Sequence, residues 1–185
     1  MATAQTAGQP AVVPAMTLAR IAVLGLVGLG CVPPAARYTD EIIEAGANVP
    51  LLPDGSPSPE PCPREARQIM EALKLKAGDA AHVEIDANQV QREPLTINAG
   101  PIESIMLGPL GKLEGMSRLY GRVWTSGPRV VIRYYWAQEA GGTRIPICAV
   151  ARLGGGELEG KPGRFPGSAE LPYSDALAFI VESFL

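Results

Sequence analysis

The spacing of apolar residues changes period along this chain. Between Cys62 and Gly78, Ala66, Ile69, Met70 and Leu73 stand at i, i+3, i+4 and i+7, which is one face of a helix. Arg64, Arg67, Glu71 and Lys74 fall largely on the opposite face. Pro63 suits the first helical turn, Lys74 and Lys76 suit the negative end of the helix dipole, and Gly78 suits a stop. A helix is therefore expected over 63–75. After Gly78 the period drops to two. Ala81-His82-Val83-Glu84-Ile85-Asp86 alternates, and short strand-like runs follow at 94–98 and 102–106. The segments 118–124 and 129–137 carry more β-branched and aromatic residues, which favour strands. Gly141-Gly142 turns the second of these back into 143–150, so a hairpin with a loop of about four or five residues is expected. Pro146 marks that return strand as an edge or as bulged. The stretch 154–172 reads as loop, and the apolar centre of 176–184 reads as a closing strand. The expected fold is mainly β (α+β), a small antiparallel barrel or sandwich with one packed N-terminal helix.

Upstream of Cys62 the pattern dissolves. Pro33, Pro34, Pro50, Pro53, Pro57, Pro59 and Pro61 interrupt any regular element, so 31–61 reads as a proline-rich tether. Within it, 39–46 has the length of two helical turns, with Thr39 or Asp40 as cap and Gly46 as stop. The run 56–61 should be extended polyproline II. Before the tether, Arg20 precedes an apolar run from Ile21 to Cys31. A bilayer core needs roughly 20 apolar residues, so this run is too short to span. It has the length and flanks of an export signal. Met16 makes a better start for such a signal than the uncharged residues before it.

Gly28-Leu29-Gly30-Cys31 resembles the lipidation box of bacterial lipoproteins. That resemblance implies removal of residues 1–30, lipid on Cys31, and a membrane-anchored protein of the cell envelope facing the periplasm or the cell surface. The domain from Cys62 onward also resembles a group of small myxobacterial envelope lipoproteins with no assigned activity. The likeness lies in Pro61-Cys62-Pro63-Arg64-Glu65-Ala66, Leu119-Tyr120-Gly121-Arg122-Val123-Trp124 and Pro146-Ile147-Cys148.

Composition narrows the picture. Glycine (21) and proline (18) are both abundant, which favours turns over long helices. The net charge is −3, and the excess acid sits in 31–61. The domain 62–185 balances its basic and acidic residues, so it lacks the electrostatic footprint of a nucleic-acid binder. There are three cysteines. With lipid on Cys31, Cys62 and Cys148 remain as a pair that an oxidising envelope would close. Two separate buried thiols are the alternative if the chain is not exported.

Few catalytic arrangements have their parts. The single histidine, His82, and the absence of Asp-Phe-Gly exclude a protein kinase. Residues 155–162 mimic a phosphate-binding loop but place Pro162 where a Ser or Thr hydroxyl should meet magnesium. One histidine also rules out a His-rich metal site, and no cofactor motif is legible. Ser117 lacks the flanking glycine of a nucleophile elbow. The candidates for a hydrolase are His82 and the pair Glu84/Asp86, which would share a strand face.

The densest chemistry is aromatic. Tyr120 and Trp124 share strand parity, as do Tyr134 and Trp136. Pointing inward they are core; pointing outward they form a platform for sugars or extended peptides. Arg122 shares a face with Tyr120 and Trp124, and Arg133 shares one with Tyr135, so at least one face should be wet. Aromatic side chains alternating with arginine are the composition of binding hot spots. The expected function is non-enzymatic binding of an envelope protein or glycan through Tyr120, Arg122, Trp124, Arg133, Tyr135 and Trp136. An envelope hydrolase and a purely structural envelope component are the alternatives.

Overall fold

The computed structural model describes residues 44–90 and 93–185. The chain divides into two units, Met1–Cys31 and Val32–Leu185. The first, which contains the expected signal segment and Cys31, lies outside the described residues.

Six strands close into an antiparallel barrel: β2 (Ala80–Glu84), β4 (Gly100–Met106), β5 (Arg118–Trp124), β6 (Val131–Gln138), β7 (Arg144–Arg152) and β10 (Asp175–Ile180). Around the wall the order is β10-β2-β4-β5-β6-β7. The period-two pattern is the reason. Along β10, Ala176, Ala178 and Ile180 are buried while Asp175, Leu177 and Phe179 are only partly so. A barrel of so few strands has a narrow lumen that side chains must fill without crowding. Small residues accordingly recur among its buried positions: Gly121, Ala137, Ala151, Ala176 and Ala178.

Two irregularities shape the β5–β6–β7 wall. Tyr120 lies opposite Trp136 but Gly121 lies opposite Tyr134, so Tyr135 is an extra residue on β6. Against β7, Tyr135 stands opposite both Ile147 and Cys148. A bulge of this kind shifts the alternation by one residue. Gly121 is forced here: a Cβ on it would lie 2.0 Å from the Arg133 carbonyl oxygen. Of the two readings of Pro146, the bulge holds and the edge does not: Ile147 and Cys148, directly after it, oppose the single residue Tyr135, and β7 is flanked by β6 and β10. Pairing with β10 begins only at Ala149, so the missing N–H of Pro146 falls outside that ladder.

One helix, α1 (Arg64–Ala72), packs on this distorted stretch of β7. Ala66 and Met70 are buried and Leu73 is partly so, while Ile69 is less enclosed than its place on the apolar face suggested. The Met70 Sδ accepts the Cys148 N–H at 3.3 Å, which satisfies a backbone donor released by the bulge. Cys148 is also bonded to Cys62, with Cα atoms 5.9 Å apart, so the start of the helix is stapled to the same bulge. The helix stops earlier than Gly78. Lys74 takes a left-handed φ of 57°, its N–H meets the Glu71 carbonyl, and the Leu75 N–H meets that of Met70. That is a Schellman ending with lysine in the usual glycine place.

The stretch 154–172 is not all loop. It contains β8 (Lys161–Pro162) and β9 (Ser168–Leu171), which form a three-stranded sheet with β3 (Leu95–Asn98) in the order β3-β9-β8. Leu158 and Leu171 are fully buried, and this burial holds the segment on the barrel. The final run is strand, as expected: β10 and then β11 (Ser183–Phe184). β11 pairs with β1 (Glu60–Pro61).

The described half of the expected tether is also structured. Pro53-Asp54-Gly55 makes a turn in which the Asp54 carboxylate accepts the Ser56 N–H at 2.9 Å. Leu52 N–H bonds back to Ser56 O, and Ser58 N–H to Pro50 O. Proline therefore stiffens a strap, residues 44–61, that lies against the barrel. Only 44–46 of the helix expected over 39–46 are described; they enter a turn with Gly46 at φ 70°, the stop expected there.

Candidate binding face

The outward side of the β5–β6 hairpin holds every aromatic and arginine residue proposed for binding. The strap divides it in two. On the covered half, the strap crosses Arg122, Trp124, Arg133 and Tyr135. Arg133 is 0% exposed. Its Nη1 donates to the Ser58 carbonyl at 2.9 Å and to Glu60 Oε1 at 3.3 Å, and its Nη2 donates to the Pro57 carbonyl at 3.2 Å. Its guanidinium lies over the rings of Trp124 and Phe184, at 5.4 and 5.3 Å from their centroids. The Tyr135 hydroxyl donates to the same Glu60 oxygen at 2.6 Å. Burial, together with the carboxylate of Glu60, pushes the Tyr135 phenol well above its ordinary range. Arg122 Nε donates to the Ala45 carbonyl at 3.1 Å. Trp124 is 8% exposed. Arg122, Arg133 and Tyr135 hold the strap, with Trp124 buried beneath the Arg133 guanidinium, so the groups that suggested a wet face serve here as its seat.

Because Tyr135 is bulged, Tyr134 and Trp136 do not share a face. Tyr134 is fully buried, and its hydroxyl meets Ser104 Oγ at 2.8 Å while Ser104 donates to the Ile85 carbonyl. Burial raises the Tyr134 phenol far above the usual value. Trp136 turns outward and stays half-buried.

The open half is built by register. Glu103, Tyr120, Trp136 and Pro146 are successive partners across β4, β5, β6 and β7. Ile105, Arg118, Gln138 and Arg144 form the next row. Polar groups fix the aromatic positions. The Tyr120 hydroxyl donates to Gln138 Oε1 at 3.0 Å, Arg144 Nε donates to the same oxygen at 3.3 Å, and the Arg144 guanidinium lies 5.1 Å from the Tyr120 ring centroid. Arg118 pairs with Glu103. The result is a shallow platform of two aromatic rings and a proline ring bordered by arginine, glutamine and glutamate. Arg144 is one of the arginines that alternate with the aromatic residues in the sequence, whereas Gln138 received no role from sequence reasoning. Its signal was present in the hairpin register, which sets it beside the tyrosine once the loop length is known.

The hydrolase candidates are not brought together. His82 is exposed on the outside of β2, opposite Leu177 of β10. Glu84 lies on β2, whereas Asp86 lies past its end and organises a turn, accepting the Asn88 N–H at 2.9 Å and Gln89 Nε2 at 2.6 Å. In the phosphate-loop mimic, Lys161 sits in β8 and Leu158 N-terminal to it is core. A Cβ on Gly160 would come within 2.8 Å of Val130, so this backbone is packed against the barrel. Among the described residues no three His, Cys, Asp or Glu side chains converge for a metal ion, and no helix is long and apolar enough to cross a membrane.

Comparison with protein-family models, with curated proteins and with solved structures found no match to this chain.

Proposed function

We propose that this protein is a non-enzymatic envelope lipoprotein, tethered through lipid on Cys31, whose barrel binds an envelope protein or glycan through the open half of the β4–β7 face. The observation that carries this reading is the register row Tyr120–Trp136–Pro146, left uncovered by a strap that seals the adjoining half. Flat aromatic rings, that of Tyr120 already held by Gln138 and Arg144, cost little entropy to immobilise on binding. The platform is shallow, which suits a sugar ring or an extended peptide better than chemistry requiring a water-excluding cleft. The resemblance of residues 21–31 to an export signal ending in a lipidation box supports the address, and a disulfide-bonded Cys62–Cys148 pair suits an oxidising compartment.

The test is capture of partners from native envelopes by tagged full-length protein, comparing Trp136→Ala and Tyr120→Ala with His82→Ala. The reading requires loss of capture in the two aromatic variants with the fold retained, and no loss in His82→Ala. Hydrolytic activity abolished by His82→Ala in a folded protein would overturn it. Intact mass of the membrane fraction tests the anchor: the reading requires a lipid-sized increment on a chain starting at Cys31, and a soluble product retaining Met1 or Met16 contradicts it.

A further inference from the structure

A second feature lies away from the aromatic face, beside the three-stranded sheet. The connection between β5 and β6 and the β8–β9 hairpin enclose a cleft of about 590 Å³. Its charged lining residues are Arg129, Lys161 and Arg164, and none of its described lining residues is acidic. The larger cleft beside α1, about 680 Å³, differs in kind. It mixes Arg67, Lys74 and Lys76 with Glu71, Asp79 and Glu182, so its charges offset one another.

The hairpin wall is pre-formed. Gly163 N–H bonds to the Ser168 carbonyl, Ser168 Oγ donates to the Phe165 carbonyl at 2.7 Å and lies 3.1 Å from the Phe165 N, and Thr125 Oγ1 ties Gly167 O to the opposite wall at 3.0 Å. These bonds hold Phe165 out at 64% exposure, with the Arg164 guanidinium 5.7 Å from its ring centroid. Acids stand at the rim: Glu159 pairs with Arg129, Glu157 acts on the same arginine, and Glu170 is the register partner of Lys161. None of the three lines the cleft. With Arg129 paired to Glu159, the exposed aromatic ring stands beside prolines and two cations, Lys161 and Arg164, which gives an apolar floor next to positive charge. A simple anion would leave the ring unused, and a neutral sugar would leave the cations unused.

The geometry points to this cleft as a binding site for an acidic saccharide, its sugar ring laid on Phe165 and its carboxylates held by Lys161 and Arg164. The site is independent of the Tyr120–Trp136 platform, so its partner need not be the same molecule. Calorimetric titration of full-length protein with an oligogalacturonate tests it, with the neutral galactan oligomer and inorganic phosphate as parallel probes. Binding of the acidic oligomer is expected to weaken about tenfold or more in Lys161→Gln/Arg164→Gln and to fall as salt is raised. Lys161→Arg should keep it, and Glu170→Gln should strengthen it. Phe165→Ala should weaken it as well. Trp136→Ala should leave it unchanged, which separates this site from the platform. The inference is overturned if the oligogalacturonate does not bind, if the neutral oligomer or phosphate binds as tightly, or if the double charge variant, folded by its thermal transition, binds like the parent.

Discussion

The two halves of the β5–β7 outer face have nearly the same composition and opposite fates. One half presents Trp124, Arg133 and Tyr135, and the other presents Tyr120, Trp136 and Arg144. On the first, Arg133 is 0% exposed and bonded to the carbonyls of a proline-rich strap. On the second, Arg144 keeps its guanidinium over an outward tyrosine. Arginine beside aromatic rings is thus equally suited to fasten a segment of its own chain and to receive a partner. The difference lies in what can reach it. Proline removes backbone donors but leaves carbonyls, and the carbonyls of Pro57 and Ser58 accept from the planar Arg133 guanidinium.

The largest expected effect on the covered half comes from its staple. Cys62 directly follows β1, and its bond to Cys148 spans 86 residues. Cys62→Ser/Cys148→Ser should lower unfolding free energy by about 4.6 kcal/mol on the loop-entropy model, read by urea denaturation. Next, Arg133→Ala should cost about 3 kcal/mol, because it strips partners from the strap and packing from Trp124 and Phe184. Glu60 keeps a partly exposed carboxylate, which limits the loss. Trp124→Ala should cost a comparable amount, about 3 kcal/mol, whereas Trp136→Ala should cost under about 1 kcal/mol. If the two tryptophan variants are equally destabilised, the contrast between the halves fails.

A smaller effect should appear in alkali. The phenols of Tyr134 and Tyr135 are raised above the ordinary 10.0, so the folded state holds their protons more firmly than the unfolded chain does. The stability they contribute is complete below about pH 10 and is lost as pH climbs above it. Absorbance titration should show both resisting ionisation until the protein unfolds. Tyr135→Phe removes the bond to Glu60 at a cost of about 1 kcal/mol and should reduce the alkaline loss. Early ionisation of Tyr135 with the fold intact would mean that the strap does not seal that half.

Much of this architecture is determined by periodicity alone. The i, i+3, i+4 spacing from Ala66 to Leu73 specifies a one-sided helix, and alternation specifies barrel strands, because burial of one face follows directly from 3.6 and 2 residues per repeat. β5 emerges with its expected bounds for that reason. The sequence also singled out Cys62 and Cys148 as a pair by counting, once Cys31 was assigned elsewhere. Periodicity does not reach past one element. The extra residue at Tyr135 depends on how three strands align, and it sends Tyr134 into the core and Trp136 outward although their parity is the same. The strap reads as tether because its prolines remove backbone donors and mask any period, yet beyond its own short turn it is fastened by Arg122, Arg133 and Ser126, more than 70 residues away. β8 and β9 are hidden likewise, since two- and four-residue strands carry too few positions to show a period. Which aromatic residues are sealed and which are left open was decided only when distant segments met, because burial is a property of the assembled surfaces.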